Sequence, residues 1–236
     1  MKRFSILVYL IMLAISVRGQ DFQVYKGDTI NRKDTKGWKQ GTWRKYYRTD
    51  TLCSETFFKD DKPQGTSRTW YESGKLKAEV QAINKSKLSH CFSYYENGKV
   101  MAKGFYRNQQ KDSTWIYYHE NSDTISAIEN YKNGFKNGKW KVFYANGTLA
   151  HELNYVNGNK DGGVKEYNED GKLIFEIQYK DGKENGMSVL YYGDGKLREK
   201  GLYKNGERDG KWQQYDEQGV LNKEITYKNG VEEIKK

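Results

Sequence analysis

The apolar residues of this chain recur in columns with a period of about 24 residues. One column is aromatic throughout: Tyr46, Trp70, Tyr94, Tyr118, Phe143, Tyr167, Tyr191 and Tyr215. A second is aliphatic throughout: Leu52, Leu76, Val100, Ile125, Leu149, Leu173, Leu197 and Leu221. A third is aromatic in all copies but one: Phe58, Ala82, Tyr106, Tyr131, Tyr155, Tyr179, Tyr203 and Tyr227. Each unit opens on a small residue: Gly41, Gly65, Ser89, Ser113, Gly138, Gly162, Gly186 or Gly210. A fixed period of this size marks an array in which every unit stacks on its neighbours.

Within a unit the spacing reads as strand. Leu173, Phe175, Ile177 and Tyr179 alternate with period two, which lines one face of a β-strand. Between the first two columns lie Ser73-Gly74, Asn97-Gly98, Asn146-Gly147, Asp170-Gly171 and Asp194-Gly195. Asn-Gly and Asp-Gly accept the positive φ angles of a tight hairpin turn. Each unit is therefore expected to be a β-hairpin. Asn157-Gly158 and Asn205-Gly206 mark the connections to the next unit. Recurrent glycine and the lack of an i, i+3, i+4 apolar pattern disfavour helix. Trp140 and Phe143 are three apart, so either both faces of the sheet carry aromatics or a bulge realigns them. The expected fold is all-β: an elongated single-layer antiparallel sheet of about eight consecutive hairpins, spanning 41–230 as one domain. The single proline, Pro63, argues against linkers that would divide it.

The flanks read differently. Lys2 and Arg3 precede an apolar run from Ile6 to Val17, and small Val17 and Gly19 suit a cleavage site. Residues 1–19 are expected to be a signal peptide, which makes the mature chain periplasmic or extracellular. The run is short for a membrane span, which takes about 20 residues. Residues 20–40 form a lead-in, in which Gly37-Trp38 and Gly41-Thr42-Trp43 echo Gly206 and Gly210-Lys211-Trp212. Residues 231–236 replace a ninth unit with charge, a device that protects an exposed sheet edge.

The pattern Tyr203-x-x-Gly206-x-x-x-Gly210-x-Trp212, with Tyr131, Gly134, Gly138 and Trp140 in the same phase, resembles the MORN repeat. It is most similar to the bacterial MORN-repeat variant, some of whose members are described as antitoxin-like. The resemblance covers roughly residues 37–230, with the copies at 65–112 degraded. It implies an array of hairpins that serves as a protein scaffold or, in some eukaryotic members, attaches to acidic phospholipids. It carries over no catalytic residue.

The chain is basic, with a formal net charge of +10. Lys59, Arg107, Lys132, Lys180, Lys204 and Lys228 follow the closing aromatic column and would align along one edge, a candidate binding edge for an acidic protein, lipid headgroups or a polyanionic glycan. Lys75, Lys99, Lys172 and Lys196 would line the other edge. Lysines beside turns also keep an open sheet soluble, and Asp60, Asp181 and Asp209 dilute the field. An exported protein is a poor candidate for nucleic acid. His90, His119 and His151 occupy three different positions in their units, so no metal site and no Ser/His/Asp arrangement converges. Cys53 and Cys91 lie three strand steps apart, roughly 14 Å, beyond disulfide reach. The glycines are turn residues rather than a phosphate loop, and no cofactor is expected. The leading expectation is a non-enzymatic interaction protein with an aromatic-rich surface for another protein. Attachment to anionic lipid or glycan through the lysine edges is an alternative, and an antitoxin or immunity role another.

Overall fold

Turn chemistry sets the path of the chain. Between units, two consecutive residues take left-handed backbone angles: Asn157 at φ 47° with Gly158 at 92°, and Asn205 at 53° with Gly206 at 91°. Such a turn has the twist that matches paired strands. The hairpin tips are built otherwise. Gly147 is left-handed at φ 85° but Asn146 is not. There the Tyr144 N–H donates to the Thr148 carbonyl and the Gly147 N–H to the Tyr144 carbonyl, each at 2.9 Å. Asn146 acts through its side chain, accepting the Thr148 N–H at 2.9 Å. The expectation of positive φ at both residues of the tip dipeptides is thus corrected: paired left-handed residues stand at the connections, and longer loops close the tips.

In the computed structural model, which describes residues 21–83 and 87–233, these turns join strands into one open antiparallel sheet of 21 strands. Residues 1–19, the expected signal peptide, lie outside the described residues. The lead-in folds into β1 (Asp21–Tyr25) and β2 (Asp28–Lys33). The first unit is β3 (Lys39–Tyr46) paired with β4 (Leu52–Lys59). Later units repeat that hairpin, as in Gly162–Tyr167 with Leu173–Lys180. Of the segment expected as a charged cap, Val231–Glu232 adds a two-residue strand, and 234–236 lie outside the described residues.

Both faces of the sheet carry aromatics. The first strand of a unit keeps its alternation from the opening residue to the aromatic, so Trp140 and Phe143 point to opposite faces. Irregularities fall elsewhere. One lies opposite the aromatic: Val142 pairs with His151 but Phe143 with Leu149, leaving Ala150 as the extra residue. Another lies at the opening position, where pairing between Ile177–Ser188 and Tyr179–Glu184 slips around Gly186. Gly186 takes φ 128° and Gly138 φ 89° there, which explains the small opening residue.

Buried residues recur in a column two residues after the opening position. It contains Cys91, Trp115, Trp140, Val164, Ser188 and Trp212, all buried, with Ile177 and Ile225 beside them. Each tryptophan crosses back onto the preceding unit. Trp115 packs over Gly104 and Trp212 over Gly201. Cys91 is paired with Gly104 and Ser188 with Gly201, so a hairpin with two small residues receives the next unit's indole. Tyr167 and Leu173 are only half-buried and lie on the other face. The physical reason is the single layer: one face gathers the large indoles, and among the described residues no second layer covers the other.

Candidate functional site

On the tryptophan face, every indole of the buried column lies under a cation from four residues upstream. Lys39 Nζ sits 4.8 Å from the Trp43 ring centre, Lys111 4.7 Å from Trp115, Lys136 4.3 Å from Trp140, and the Arg208 guanidinium 4.0 Å from Trp212. Each cation also reaches an aromatic of the closing column: Phe58, Tyr131, Tyr155 and Tyr227. Such contacts contribute about 0.5–2 kcal/mol each. They occupy ring faces that would otherwise be free to stack on a ligand. The densest cluster surrounds Lys111. Its ammonium contacts the Tyr117 hydroxyl and lies 3.9 Å from Glu129, which accepts the Tyr131 hydroxyl at 2.8 Å. Burial pushes the Tyr117 and Tyr131 phenols far above their ordinary range, reinforced by the Glu129 charge. Burial also lowers the Lys111 ammonium, against the pull of Glu129. The cluster is closed by its own cation and reads as packing.

The opposite face carries cross-strand ion pairs along its centre. Arg44 meets Glu55 at 2.7 Å, Arg68 meets Glu79 at 3.4 Å, Lys141 meets Glu152 at 3.8 Å and Lys165 meets Glu176 at 3.6 Å. Beside this stripe runs the expected aromatic column, each member paired across the hairpin with its aliphatic counterpart. The pairs are Tyr46–Leu52, Trp70–Leu76, Tyr94–Val100, Tyr118–Ile125, Phe143–Leu149, Tyr167–Leu173, Tyr191–Leu197 and Tyr215–Leu221. All the aromatics are half-buried, and Leu221 is 46% exposed. Phe57, Met187 and Leu202 add exposed apolar surface to the same face.

The hairpin-tip edge is tied by a ladder that the apolar columns did not reveal. Tyr47, Tyr71, Tyr95, Tyr144 and Tyr192 each donate a hydroxyl to the backbone carbonyl of the next unit's aromatic, at 2.8–2.9 Å. His119 Nε2 contacts the Phe143 carbonyl at 3.1 Å in the same position. The sequence signal was the doublet: Tyr46-Tyr47, Trp70-Tyr71, Tyr94-Tyr95 and Tyr191-Tyr192 recur in phase. These rungs hold adjacent tips in register and so stiffen the aromatic–aliphatic strip beside them.

The candidate basic residues Lys59, Arg107, Lys132, Lys180, Lys204 and Lys228 all lie exposed on the connection edge, each just before a left-handed turn residue. Arg107 is paired with Asp112 at 3.3 Å and Lys180 with Asp161 at 3.1 Å. Among the described residues the other four meet no carboxylate, and Ile83 and Val156 interrupt the row. At the tip edge Lys99 pairs with Asp123 at 3.5 Å and Lys196 with Asp194 at 3.3 Å. Cys53 and Cys91 are free thiols, and burial pushes the Cys91 thiol up. Among the described residues no His, Cys, Asp or Glu group is placed to hold a metal ion.

A single open sheet of consecutive hairpins, tied tip to tip and covered by indoles on one face, defines a repeat-array protein. The MORN repeat variant pattern matches residues 39–60, 63–84, 90–108, 136–157, 160–181, 184–205 and 208–229. These spans cover more than half of the chain, which belongs to the MORN repeat variant family. Repeats of this kind are generally found in binding and scaffold proteins. The spans pass over the hairpin of Tyr118 and Ile125, whose tip is one residue longer than that of Phe143 and Leu149. An insertion at a tip lies on the sheet edge, so the neighbouring strands keep their pairing. Among curated proteins none matches the chain. Among solved structures, "Crystal Structure of TcdB2-TccC3-Cdc42" is similar over 84% of this chain and 14% of that one, at 13% identity and a TM-score of 0.22. The chain thus spans about 14% of that chain's length, and a likeness at that score carries no argument.

Proposed function

We propose that the protein is a non-catalytic interaction or scaffold protein of the cell envelope or exterior, acting after removal of residues 1–19. Its partner is a protein, seated on the aromatic–aliphatic strip of the ion-pair face. The observation that carries this reading is the continuity of that strip: eight cross-strand pairs in phase and half-exposed, with Phe57, Met187 and Leu202 adding apolar surface on the far side of the ion-pair stripe. Contiguous exposed apolar surface marks interaction sites, and aromatics dominate interface energetics. The tyrosine ladder supports the reading because it fixes the strip before any partner arrives, which lowers the ordering cost of binding.

A second reading, attachment to anionic lipid or glycan, is favoured by Lys59, Lys132, Lys204 and Lys228, exposed on one edge without carboxylate partners among the described residues. Pull-down with the mature chain at low and high salt separates the two. The protein reading expects capture to survive salt, to be lost on Tyr167→Ser with Leu173→Ser, and to persist when Lys132, Lys180, Lys204 and Lys228 are all changed to Glu. Capture lost on charge reversal, together with salt-sensitive binding to anionic liposomes, transfers the function to the basic edge. Co-purification of a toxin would instead point to an antitoxin or immunity role.

A further inference from the structure

Three of the four tryptophans in the buried column end alike. The indole Nε1 of Trp115, Trp140 and Trp212 donates to the backbone carbonyl ten residues upstream: Phe105 at 3.0 Å, Asn130 at 2.9 Å and Leu202 at 3.1 Å. The fourth does not. Trp43 Nε1 is buried with no acceptor among the described residues. The cause lies in strand pairing. The upstream strand of each other tryptophan stays paired with the indole's own strand. Before Trp43, β2 pairs with β3 only through Arg32–Gln40 and Lys33–Lys39. There Asn31 turns left-handed, at φ 55°. Its side-chain amide replaces the missing ladder, donating to the Arg44 carbonyl at 3.1 Å and accepting the Arg44 N–H at 2.8 Å.

This split opens a cavity of about 280 Å³ whose lining includes Lys39, Trp43, Lys45, Ser54, Thr56 and Phe58. Its polar groups are biased toward donors. Lys39 Nζ lies over the Trp43 and Phe58 rings at 4.8 and 4.9 Å. Among the described residues neither the Lys39 nor the Lys45 ammonium pairs with a carboxylate, whereas Arg44 next door is held by Asp28 at 2.8 Å and Glu55 at 2.7 Å. Two uncompensated cations, an orphaned indole N–H and two hydroxyls ask for an anionic acceptor, and a buried donor without a partner carries a desolvation cost that such a ligand removes. The Phe58 ring and the Thr56 methyl offer an apolar wall for a short methylene stem.

We propose that this cavity receives the carboxylate of a glutamate side chain from a partner protein beside the Lys39 ammonium, and that a small turn of the Trp43 ring presents its buried indole N–H to it. The proposal rests on the protein-binding reading, but it uses the tryptophan face at one end of the array. Either can therefore fail alone.

The test is NMR titration of the indole N–H signals of the mature chain. The Trp43 signal is assigned by its loss in Trp43→Phe. Capped glutamate is the probe, with capped glutamine, glucuronate and inorganic phosphate as comparisons. We expect a saturable shift of the Trp43 signal with capped glutamate in the millimolar range, since so few atoms bind weakly. Capped glutamine should leave it in place. Lys39→Gln, which keeps the indole reporter, should weaken the response roughly tenfold, the loss of one charge-assisted hydrogen bond. An unmoved Trp43 signal overturns the proposal, as does an equal response to capped glutamine. A response confined to glucuronate or phosphate overturns the assignment to a protein side chain. The titration repeated on the Tyr167→Ser, Leu173→Ser variant separates the two readings: a retained shift there keeps the cavity independent of the strip.

Discussion

Trp212 packs so closely on Gly201 that a Cβ at that glycine would stand 2.2 Å from the indole Cδ2. Gly104 stands in the same relation to Trp115, at 2.4 Å. Neither glycine takes a left-handed backbone angle. Their requirement is steric: the indole of one unit fills the space that a side chain of the previous unit would need.

Gly201→Ala should therefore displace Trp212 and break its hydrogen bond to the Leu202 carbonyl. A cost of about 1–3 kcal/mol is expected for overpacking a filled site. Gly193→Ala is the control, because a Cβ there meets nothing within 4 Å and the backbone is not left-handed. It should be neutral or slightly stabilising. Denaturation midpoints of the two variants would show the contrast, and equal values would mean the indole has room to move.

The two faces should also differ in their tolerance of truncation. Ile177 is 3% exposed on the tryptophan face, whereas Leu173 is half-buried on the other. Ile177→Ala is expected to cost about 2–5 kcal/mol. Leu173→Ala removes a smaller buried area and one cross-strand contact with Tyr167, so roughly 1–2 kcal/mol is expected. Denaturant titration of both variants checks the order, and a larger loss at Leu173 would place the core on the ion-pair face.

Much of this organisation is legible in the residues. The aromatic and aliphatic columns fixed the unit and its hairpin because their period survives in every copy. The cation column was missed because its members, Lys39, Lys87, Lys111, Lys136, Lys160 and Arg208, precede the opening glycine or serine and are interrupted by Pro63 and Glu184. Their role appears only when the indole of the same unit folds back beneath them. The cavity beside Trp43 is not signalled by the repeat pattern either. It arises from the early divergence of β2, which depends on one left-handed asparagine, Asn31.

Stability at alkaline pH should depend on phenols held protonated by the fold. Tyr94 is pushed up to about 12 by burial, then by its hydrogen bond to Glu79 and that residue's charge. In the unfolded chain it titrates at about 10. The folded value is raised, so the contribution is complete below about pH 10 and is lost as pH rises through about 12. Glu79→Gln removes the charge and should move the Tyr94 titration downward, narrowing the alkaline window. Tyrosinate absorbance against pH, compared with the Tyr94→Phe variant, identifies the phenol, and an unchanged Tyr94 titration in Glu79→Gln would remove Glu79 as a cause.

The tyrosine ladder makes the final prediction. Tyr144→Phe keeps the ring but deletes the 2.8 Å hydrogen bond to the Tyr167 carbonyl. Because the site is partly exposed, water can take over the carbonyl, and a loss of about 0.5–1.5 kcal/mol is expected. The effect should be local. Amide exchange should quicken at the tip closed by Tyr144 and Thr148 and at the following tip closed by Asn168 and Lys172. Tyr71→Phe deletes the equivalent bond to the Tyr94 carbonyl three units earlier. The two rungs share no partner, so their costs should add within about 0.5 kcal/mol. A double variant that loses much more than the sum would show that the ladder acts as one cooperative element. A double variant that loses nothing would show that the tips are held by strand pairing alone.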